Sequence, residues 1–390
     1  MTSLRPHPFA RTDSSRWAQW WWTTDHVLLG ATAALIILGV ILQFGTSPVA
    51  AARLNIPAPF YFALRQAAFG GLGVAVVLAT SVLRPRGIRR VAFFVYLVAI
   101  LAMMALPFLG HNAKGATRWV EFMGFALQPS EFMKPALVVL VAWMFAEGRK
   151  GEVPGVWIAF GLYAVAVVLL LLEPDIGQTA LITAAFGAAF WVAGVPVRWM
   201  VGMGAAAVAG LCSTYFIFPH VHARMLTFLD PKPTSGIGQV QRAAKAIANG
   251  RGFGRGPGEG MMKGQIPDMH TDFAYSAAAE DYGLWLSLFL IALFALLVIR
   301  GLYRAMKISN PFEQIAAAAL FTMVGMQAFI NIIVNLGLAP TKGMTLPFIS
   351  YGGSSMLAMS LTVGMALALT RRQSSAYAGD DGLAEGDHFG

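Results

Sequence analysis

The sequence predicts an all-α, polytopic membrane protein with about ten transmembrane helices. Hydrophobic residues make up 57% of the 390 residues and charged residues only 12%, whereas soluble domains carry about a quarter charged residues. The mean hydropathy of the chain is +0.63. Apolar runs of roughly 20 residues, the length with which a helix crosses a bilayer, recur along the chain.

The apolar runs locate the predicted helices. They lie near residues 26–44, 60–83, 91–109, 132–147, 156–172, 176–194, 197–218, 281–300, 313–338 and 354–370. Only Glu173, Pro174 and Asp175 separate the fifth run from the sixth. A proline between two acidic residues favours a tight turn at that point over one long helix.

The basic residues predict which way the helices face. Ten helices place both termini on one side of the membrane, and the loops on that side are rich in arginine and lysine. The short loops on the other side hold only Arg53, Lys114, Arg118 and Lys342. Because positive residues concentrate in short cytoplasmic loops, both termini are predicted to be cytoplasmic.

The membrane domain is predicted to span residues 26–372. It follows a cytoplasmic segment, 1–25, whose tryptophan cluster at Trp17 and Trp20–Trp22 is typical of an interfacial anchor. It precedes a small, polar and acidic tail, 373–390, which is predicted to be disordered.

One large outer loop, about 219–275, is predicted between helices seven and eight. It carries seven arginines and lysines, although positive charge is more typical of cytoplasmic loops. A cationic outer surface suits an anionic partner such as a lipid pyrophosphate, and the alternative is a solvated loop balanced by its own acids. Membrane topology and anionic lipid explain the net charge of +9, so no nucleic-acid partner is predicted.

The segment from Gly110 to Lys134 is too polar to span the membrane and too apolar for a free loop, and we predict that it is partly re-entrant. Ser130 is a candidate N-cap of the fourth helix, with Glu131 in its first turn. Lys134 then lies one turn inside the helix, where a charge is costly without a cavity or a partner. Either Lys134 faces a polar cavity and meets a phosphate, or it reaches the interface or pairs with Glu131.

Three further motifs lie in the outer half of the predicted bundle. Asp175 begins a helix, where a carboxylate suits the N-terminal dipole. Seven glycines occur from Gly250 to Gly264, and their N–H groups can form an anion-binding nest or belong to a flexible linker. The segment from Asn335 to Ser355 contains prolines that prevent a continuous helix. Its rings at Phe348 and Tyr351 would form the floor of a groove for an isoprenoid chain.

The chain resembles the SEDS family (shape, elongation, division and sporulation) over residues 25–372. The motifs that carry this resemblance are Gly115–Trp119, Gln128–Glu131 with Lys134, Pro174–Gly177, His270–Phe273 and Leu346–Ser355. Pro340–Gly343 is similar to the cell-division branch of the family, and the elongation branch is the alternative. Two acidic positions depart from the family pattern, because Asp268 and Asp281 stand where glutamate is usual.

The resemblance implies an activity. Family members are peptidoglycan glycosyltransferases that polymerise lipid II, so the chain is expected to build glycan strands for septal cell-wall synthesis while undecaprenyl pyrophosphate leaves. Inversion at the anomeric carbon suits a single displacement with one general base. The family's catalytic aspartate corresponds to Asp272. The alternatives are a lipid II flippase, an elongation-type polymerase and a non-catalytic scaffold.

The leaving diphosphate needs positive charge more than it needs an acid, and the candidates to bind it are Arg118, Lys134 and Lys342. His270 is expected to orient its turn or to contact substrate. Glu280 lies about two helical turns beyond Asp272 and could share its face. The remaining substrate-binding candidates are Glu131, Asp175, Ser350 and Tyr351. A divalent cation, Mg²⁺ or Mn²⁺, would suit the diphosphate oxygens, but the sequence contains no legible metal site.

The resemblance also implies partners and a location. The substrates would be lipid II and undecaprenyl-linked glycan. Family members work with a class B penicillin-binding protein, a transpeptidase with a single membrane span, and with other division proteins. The chain is therefore expected in the bacterial cytoplasmic (inner) membrane, at the division septum.

Overall fold

The structure, a computed structural model, describes residues 15–109, 111–113, 116–122, 125–217, 222, 225–226, 238–341 and 343–371. Part of the predicted outer loop, the predicted acidic tail and Lys342 lie outside the described residues.

Twelve α-helices are found within these residues. They are α1 (Arg16–Thr23), α2 (His26–Arg53), α3 (Tyr61–Ser81), α4 (Pro85–Leu109), α5 (Pro129–Gly148), α6 (Gly155–Leu172), α7 (Ile176–Val192), α8 (Val197–Ile217), α9 (Gln239–Gly250), α10 (Ala274–Ala305), α11 (Pro311–Asn335) and α12 (Gly353–Leu369). All but α1 and α9 coincide with the predicted spans. By length and composition, seven of them can cross a membrane, namely α2 to α6, α10 and α11. The all-α membrane fold is confirmed.

Several helices extend beyond their apolar runs. Helix α2 continues to Arg53, past the predicted end at residue 44, and α10 begins at Ala274 instead of residue 281. The extensions carry polar side chains that face protein, such as the buried Ser47 in α2 and Ser276 in α10. A search for apolar runs cannot detect such extensions, because it reads polar residues as the end of a helix.

The segment before α5 contains a small antiparallel sheet that the sequence analysis did not predict. Its strands are β1 (His111–Ala113), β2 (Ala116–Phe122) and β3 (Phe125–Leu127), in the order β1-β2-β3. β-branched and aromatic residues in β2 favour this conformation. The sheet contacts α4, α5 and α12, so the segment is packed on the bundle as strands.

Helices α5 and α11 form the centre of the bundle. Helix α5 contacts α4, α6, α7, α11 and α12, and α11 contacts α5, α7, α10 and α12. Both helices are mostly buried, whereas in α3, α4 and α6 only a third or fewer of the residues in the apolar stretch are buried. The polar residues of these two central helices are therefore surrounded by protein.

We call the end of the bundle at which α2 begins and α10 and α12 finish the terminal end. Ion pairs tie it together. Asp25 caps α2 and accepts hydrogen bonds from two backbone N–H groups of the first turn. The same carboxylate lies 2.9 Å from Arg300 and 3.3 Å from Arg304, near the end of α10. Arg304 also donates to the carbonyl of Thr370, which follows α12.

Candidate functional site

The opposite end, which we call the loop end, holds the predicted catalytic aspartate in a tight turn before α10. The backbone N–H groups of Thr271 and Phe273 and the Thr271 hydroxyl all donate to the carbonyl of Asp268, at 3.2 Å each. Asp272 lies within this turn and is half-buried. A side chain in such a turn has a fixed direction only if the turn itself is held in place.

Two asparagines of α11 hold the turn. Asn331 Nδ2 donates to the Asp272 carbonyl at 2.9 Å, and Asn335 Nδ2 donates to the same oxygen at 3.0 Å. Asn331 also donates to the carbonyl of Met344 at 2.6 Å. The asparagines therefore connect the turn to the segment that joins α11 and α12.

A small pocket with room for about one water molecule opens beside this turn. Its lining comprises Asp272, Phe273, Asn331, Val334, Thr341, Gly343 and Met344. A Cβ atom at Gly343 would lie 3.9 Å from Asp272 Oδ2. The carboxylate thus faces Gly343, in the segment between α11 and α12.

His270 is held by its backbone in a similar way. Its carbonyl accepts from Gln43 Nε2 and from the backbone N–H of Tyr351, both at 2.9 Å. Its ring packs on Phe62, with 4.6 Å between centroids, and lies 5.9 Å from the Tyr351 ring. The structure thus brings His270, Tyr351 and the turn of Asp272 together.

An arginine that the sequence analysis did not single out borders this group. Arg65, in the first turns of α3, lies 4.8 Å from the Tyr61 ring centroid and hydrogen-bonds Tyr351. Burial raises the pKa of Tyr351, although the bond and charge of Arg65 oppose this shift. A charged residue inside an otherwise apolar run was the available signal.

Ser350 and Phe348 shape the segment before α12. Ser350 Oγ accepts from the Leu346 N–H at 2.8 Å, and Gln66 Nε2 donates to the carbonyls of Phe348 and Ser350. The Phe348 and Tyr351 rings were both predicted to form the floor of a groove. The Phe348 ring is buried, and only the Tyr351 ring is half-exposed. Ser350 stabilises the segment through its hydroxyl.

A second polar group, centred on Lys134, lies deeper in the bundle. Lys134 is fully buried, and its Nζ donates to Glu131 Oε2 at 2.9 Å, to Gln178 Oε1 at 2.7 Å and to Gln327 Oε1 at 3.1 Å. Gln178 Nε2 returns a bond to Glu131 Oε1 at 2.6 Å. All three hydrogens of the ammonium group are thus used by protein.

Arg118, on β2, binds the turn between α6 and α7, which contains Asp175. Arg118 donates to the carbonyls of Glu173 and Pro174, at 2.8 and 2.6 Å, and lies 3.4 Å from Asp175 Oδ2. Asp175 Oδ1 accepts from the N–H of Gln178 at 3.2 Å and so caps α7. Arg118 on β2 therefore fixes the turn, and Gln178 links the turn to Lys134.

Glu173 is the unusual member of this turn. It is buried, and neither carboxylate oxygen has a hydrogen-bond partner. Burial and the nearby charge of Asp175 raise the pKa of Glu173 to about 8, although Arg118 opposes the shift. The group is therefore mostly neutral at pH 7.

Glu280 and Asp281 bind the glycine-rich loop from the side of α10. Asp281 accepts from the N–H groups of Gly258 and Gly260, both at 3.1 Å, and Glu280 Oε1 accepts from Met262 N–H at 2.9 Å. The anion that these N–H groups bind is thus supplied by the chain itself. Both carboxylates are buried and face the glycine-rich loop, so they lie outside the lining of the Asp272 pocket.

Helix α10 is interrupted two residues after Asp281. Gly283 has φ 83° and ψ −171°, a conformation that favours glycine. A Cβ atom at this position would also clash with the backbone of Gly252 and Gly254. The segment of α10 before Gly283 is almost wholly buried, so it packs inside the protein beside the glycine-rich loop.

The predicted residues therefore fall into three groups. Asp272, His270 and Tyr351 share one site with Ser350 nearby, whereas Lys134, Glu131, Asp175 and Arg118 form a second network and Glu280 a third.

Gln327 belongs to the Lys134 network and lies on the same helix as Asn331. Sequence reasoning missed the three amides at 327, 331 and 335, although polar residues four apart in an apolar helix were a legible signal. No group of three acidic, histidine or cysteine side chains suited to a metal ion occurs in the described part of the chain.

Comparisons with known proteins agree with this architecture. A family model described as "Cell cycle protein", for FtsW, RodA and SpoVE, matches residues 25–375. The chain is 63% identical over 390 residues to a probable peptidoglycan glycosyltransferase FtsW of Caulobacter vibrioides, covering 99% of this chain and 100% of that one. It is 34% identical over 360 residues to the corresponding protein of Geobacter metallireducens, covering 89% and 95%.

Two solved structures are similar to this fold. A chain from a peptidoglycan synthase complex that coordinates polymerization and crosslinking matches with a TM-score of 0.74 and 26% identity, covering 90% of this chain and 98% of that chain. The rod shape-determining protein RodA of Thermus thermophilus matches with a TM-score of 0.66 and 26% identity, covering 91% and 99%.

Proposed function

The chain belongs to the FtsW, RodA and SpoVE family of cell cycle proteins, and on that premise we propose that it is a peptidoglycan glycosyltransferase of the FtsW type. It polymerises lipid II into glycan strands during cell division. It is a multi-pass protein of the bacterial inner membrane, and its septal location and cytoplasmic termini belong to the same proposal. The identity of 63% to an FtsW over the whole chain favours the division role over the elongation role.

We propose that Asp272 is the general base. A sugar hydroxyl is a poor nucleophile at neutral pH, so a carboxylate must accept its proton as the new glycosidic bond forms. The hydroxyl oxygen attacks the anomeric carbon of a second lipid-linked disaccharide, and the bond to the diphosphate oxygen breaks. The observation that supports this role is the Asp272 turn, which two buried asparagines hold against a pocket at the loop end.

The leaving diphosphate requires cationic groups near this pocket. Lys342 is adjacent to Gly343 of the pocket lining, and we propose it as a diphosphate ligand. Arg118 and Lys134 remain candidates, but both are bound by protein groups in this conformation. Their contact with substrate would require the α6–α7 turn or the Lys134 network to open.

We further propose that the partner is a class B penicillin-binding protein. The fold is similar to a chain from a peptidoglycan synthase complex, which joins polymerization with crosslinking. A polymerase that delivers uncrosslinked strands needs such a transpeptidase next to it.

Polymerisation of purified lipid II in liposomes tests the proposal. We expect long glycan strands when the wild-type protein is combined with its cognate transpeptidase, and few or none with Asp272→Asn. Lipid II flipping should be measured in the same vesicles. Flipping without polymerisation by the wild-type complex would favour the flippase alternative and contradict the enzyme.

A further inference from the structure

Three amide side chains follow one face of α11. Gln327, Asn331 and Asn335 are four residues apart, so they lie one above another along the helix. All three are buried, with exposed fractions of 0%, 2% and 0%. An amide inside a membrane helix is costly unless it is hydrogen-bonded, so their bonds indicate what the amides do.

Asn335 uses its whole hydrogen-bonding capacity within the protein. Its Nδ2 donates to the carbonyls of Asp272 and Asn331, at 3.0 and 2.9 Å. Its Oδ1 accepts from the N–H and the hydroxyl of Ser276, at 3.1 and 2.6 Å. An amide has two donor hydrogens and two acceptor lone pairs. No bonding capacity of Asn335 is left for a substrate, so any effect on the reaction must be indirect.

The bonds of Asn335 fix the start of α10. The residue before this helix, Phe273, provides no side-chain cap, and the first N–H groups of a helix need acceptors. Ser276 is the third residue of α10, the position that an N-cap side chain normally serves. Asn335 therefore caps α10 from a neighbouring helix, and it binds the Asp272 carbonyl with the other end of the same amide.

Asn331 completes the arrangement on the side of the pocket. Its Nδ2 donates to the carbonyls of Asp272 and Met344, which lie on two walls of the pocket. Asn331 itself lines the pocket, so a change there could also alter substrate contacts. Asn335 is absent from the pocket lining, which makes it the better residue for a test.

We propose that Asn335, assisted by Asn331, is a positioning residue for Asp272. It holds the first turn of α10 and the preceding carbonyl in one arrangement, and thereby fixes the direction from which the carboxylate meets the sugar hydroxyl. The inference rests on the proposed function, because it assumes that Asp272 is the base.

The test compares kcat and KM of lipid II polymerisation by the complex with the cognate transpeptidase. Asn335→Ala removes both ends of the amide, and we expect kcat to fall about 10- to 100-fold, the cost of displacing a reacting group by about 1 Å. KM should change by less than about two-fold, because no substrate contact is lost. Thr322→Ala is the matched control, since Thr322 is also on α11 but bonds only the carbonyl of Ala318 in its own helix.

Asn335→Asp separates the two ends of the amide. In its ionised form, which alkaline pH favours, the new side chain keeps the acceptor for Ser276 but has no hydrogen to donate to the Asp272 carbonyl. We expect this isosteric variant to fold and to lose kcat at least about 10-fold. Ser276→Ala removes only the hydroxyl bond and should stay within about three-fold of the wild type.

Two results would overturn the inference. One is a wild-type kcat for Asn335→Asp that persists at alkaline pH, which decides the matter even if Asn335→Ala does not fold. The other is a loss of activity that appears in KM alone, or equally in Thr322→Ala. A failure of the proposed function would be recognised separately, because the wild-type complex itself would then not polymerise lipid II.

Discussion

Two buried acids at opposite ends of the bundle, Asp25 and Asp281, have different side-chain partners. At the terminal end, Asp25 pairs with Arg300 and Arg304, whose side chains are partly exposed. At the loop end, Asp281 accepts from backbone N–H groups of the glycine-rich loop, and Glu173 has no hydrogen-bond partner. Ion pairs at a surface tolerate small movements, whereas bonds to backbone groups fix a loop in one place.

This difference indicates that the terminal end has a structural role, whereas the loop end holds the candidate site. The terminal end ties together the ends of helices whose exact positions have little chemical consequence. The loop end fixes segments that the sequence leaves irregular, and it does so with buried groups that are costly to desolvate. Substitutions should therefore have their largest effects at the loop end.

The largest expected effect is on activity, from Asp272→Asn. The amide has the same size but cannot accept the hydroxyl proton, so we expect polymerisation to fall by about 10²- to 10⁴-fold without a change in the melting temperature. Asp268→Asn, in the same turn, is the matched control and should retain most activity. Equal rates for both variants would remove Asp272 as the base.

The next effect is on stability, from Lys134→Met. The substitution leaves Glu131 as a buried charge without its cation, and we expect a loss of about 3–5 kcal/mol in the free energy of unfolding. Lys150→Met tests the comparison, because Lys150 forms the same kind of pair with Glu147 on α5 but is 62% exposed. It should cost less than about 1 kcal/mol. Similar losses for both variants would show that burial is not the cause.

A smaller effect on stability is expected from Glu173→Gln, and in this variant we expect the stability to increase. The pKa of Glu173 is raised to about 8 from a usual 4.5. Between these values the folded state binds a proton that the unfolded state has released, so wild-type stability falls as pH rises. The variant lacks this loss. Its melting temperature should match the wild type near pH 4.5 and exceed it by a few degrees at pH 8 and above. Glu121→Gln, at an exposed position of β2, should show no such trend.

The smallest effect is expected at the terminal end, from Asp25→Asn. Burial alone would raise the pKa of Asp25, but the bond to Arg300, the Leu28 N–H and the nearby arginines hold it below its usual value. The contribution of ionised Asp25 to the free energy of unfolding is present above about pH 4, and it is lost as pH falls through the lowered pKa. At pH 7 the variant should lose about 1 kcal/mol and keep full polymerase activity. A strong loss of activity would contradict the separation of the two ends.

The fold and the site differ in how far the sequence predicts them. Helix positions follow from apolar runs, since the hydrocarbon core imposes their length. Asp272 and His270 were identified through a family motif, which marks residues but not their surroundings. The bonds from Asn331 and Asn335 to backbone carbonyls could not be predicted, because they depend on where irregular segments lie in space. The acceptors of Glu280 and Asp281 are likewise backbone groups, which no side-chain pattern reveals.

The break at Gly283 also explains how a helix as long as α10 fits a bilayer. Helix α10 has 32 residues, which as a straight rod would measure about 48 Å. The hydrocarbon layer of a bilayer is only about 30 Å thick. A straight rod would carry its first residues well into the aqueous phase, away from a sugar tethered to a lipid. With the change of direction at one glycine, the surplus turns stay inside the protein, and the turn that holds Asp272 remains packed on the bundle.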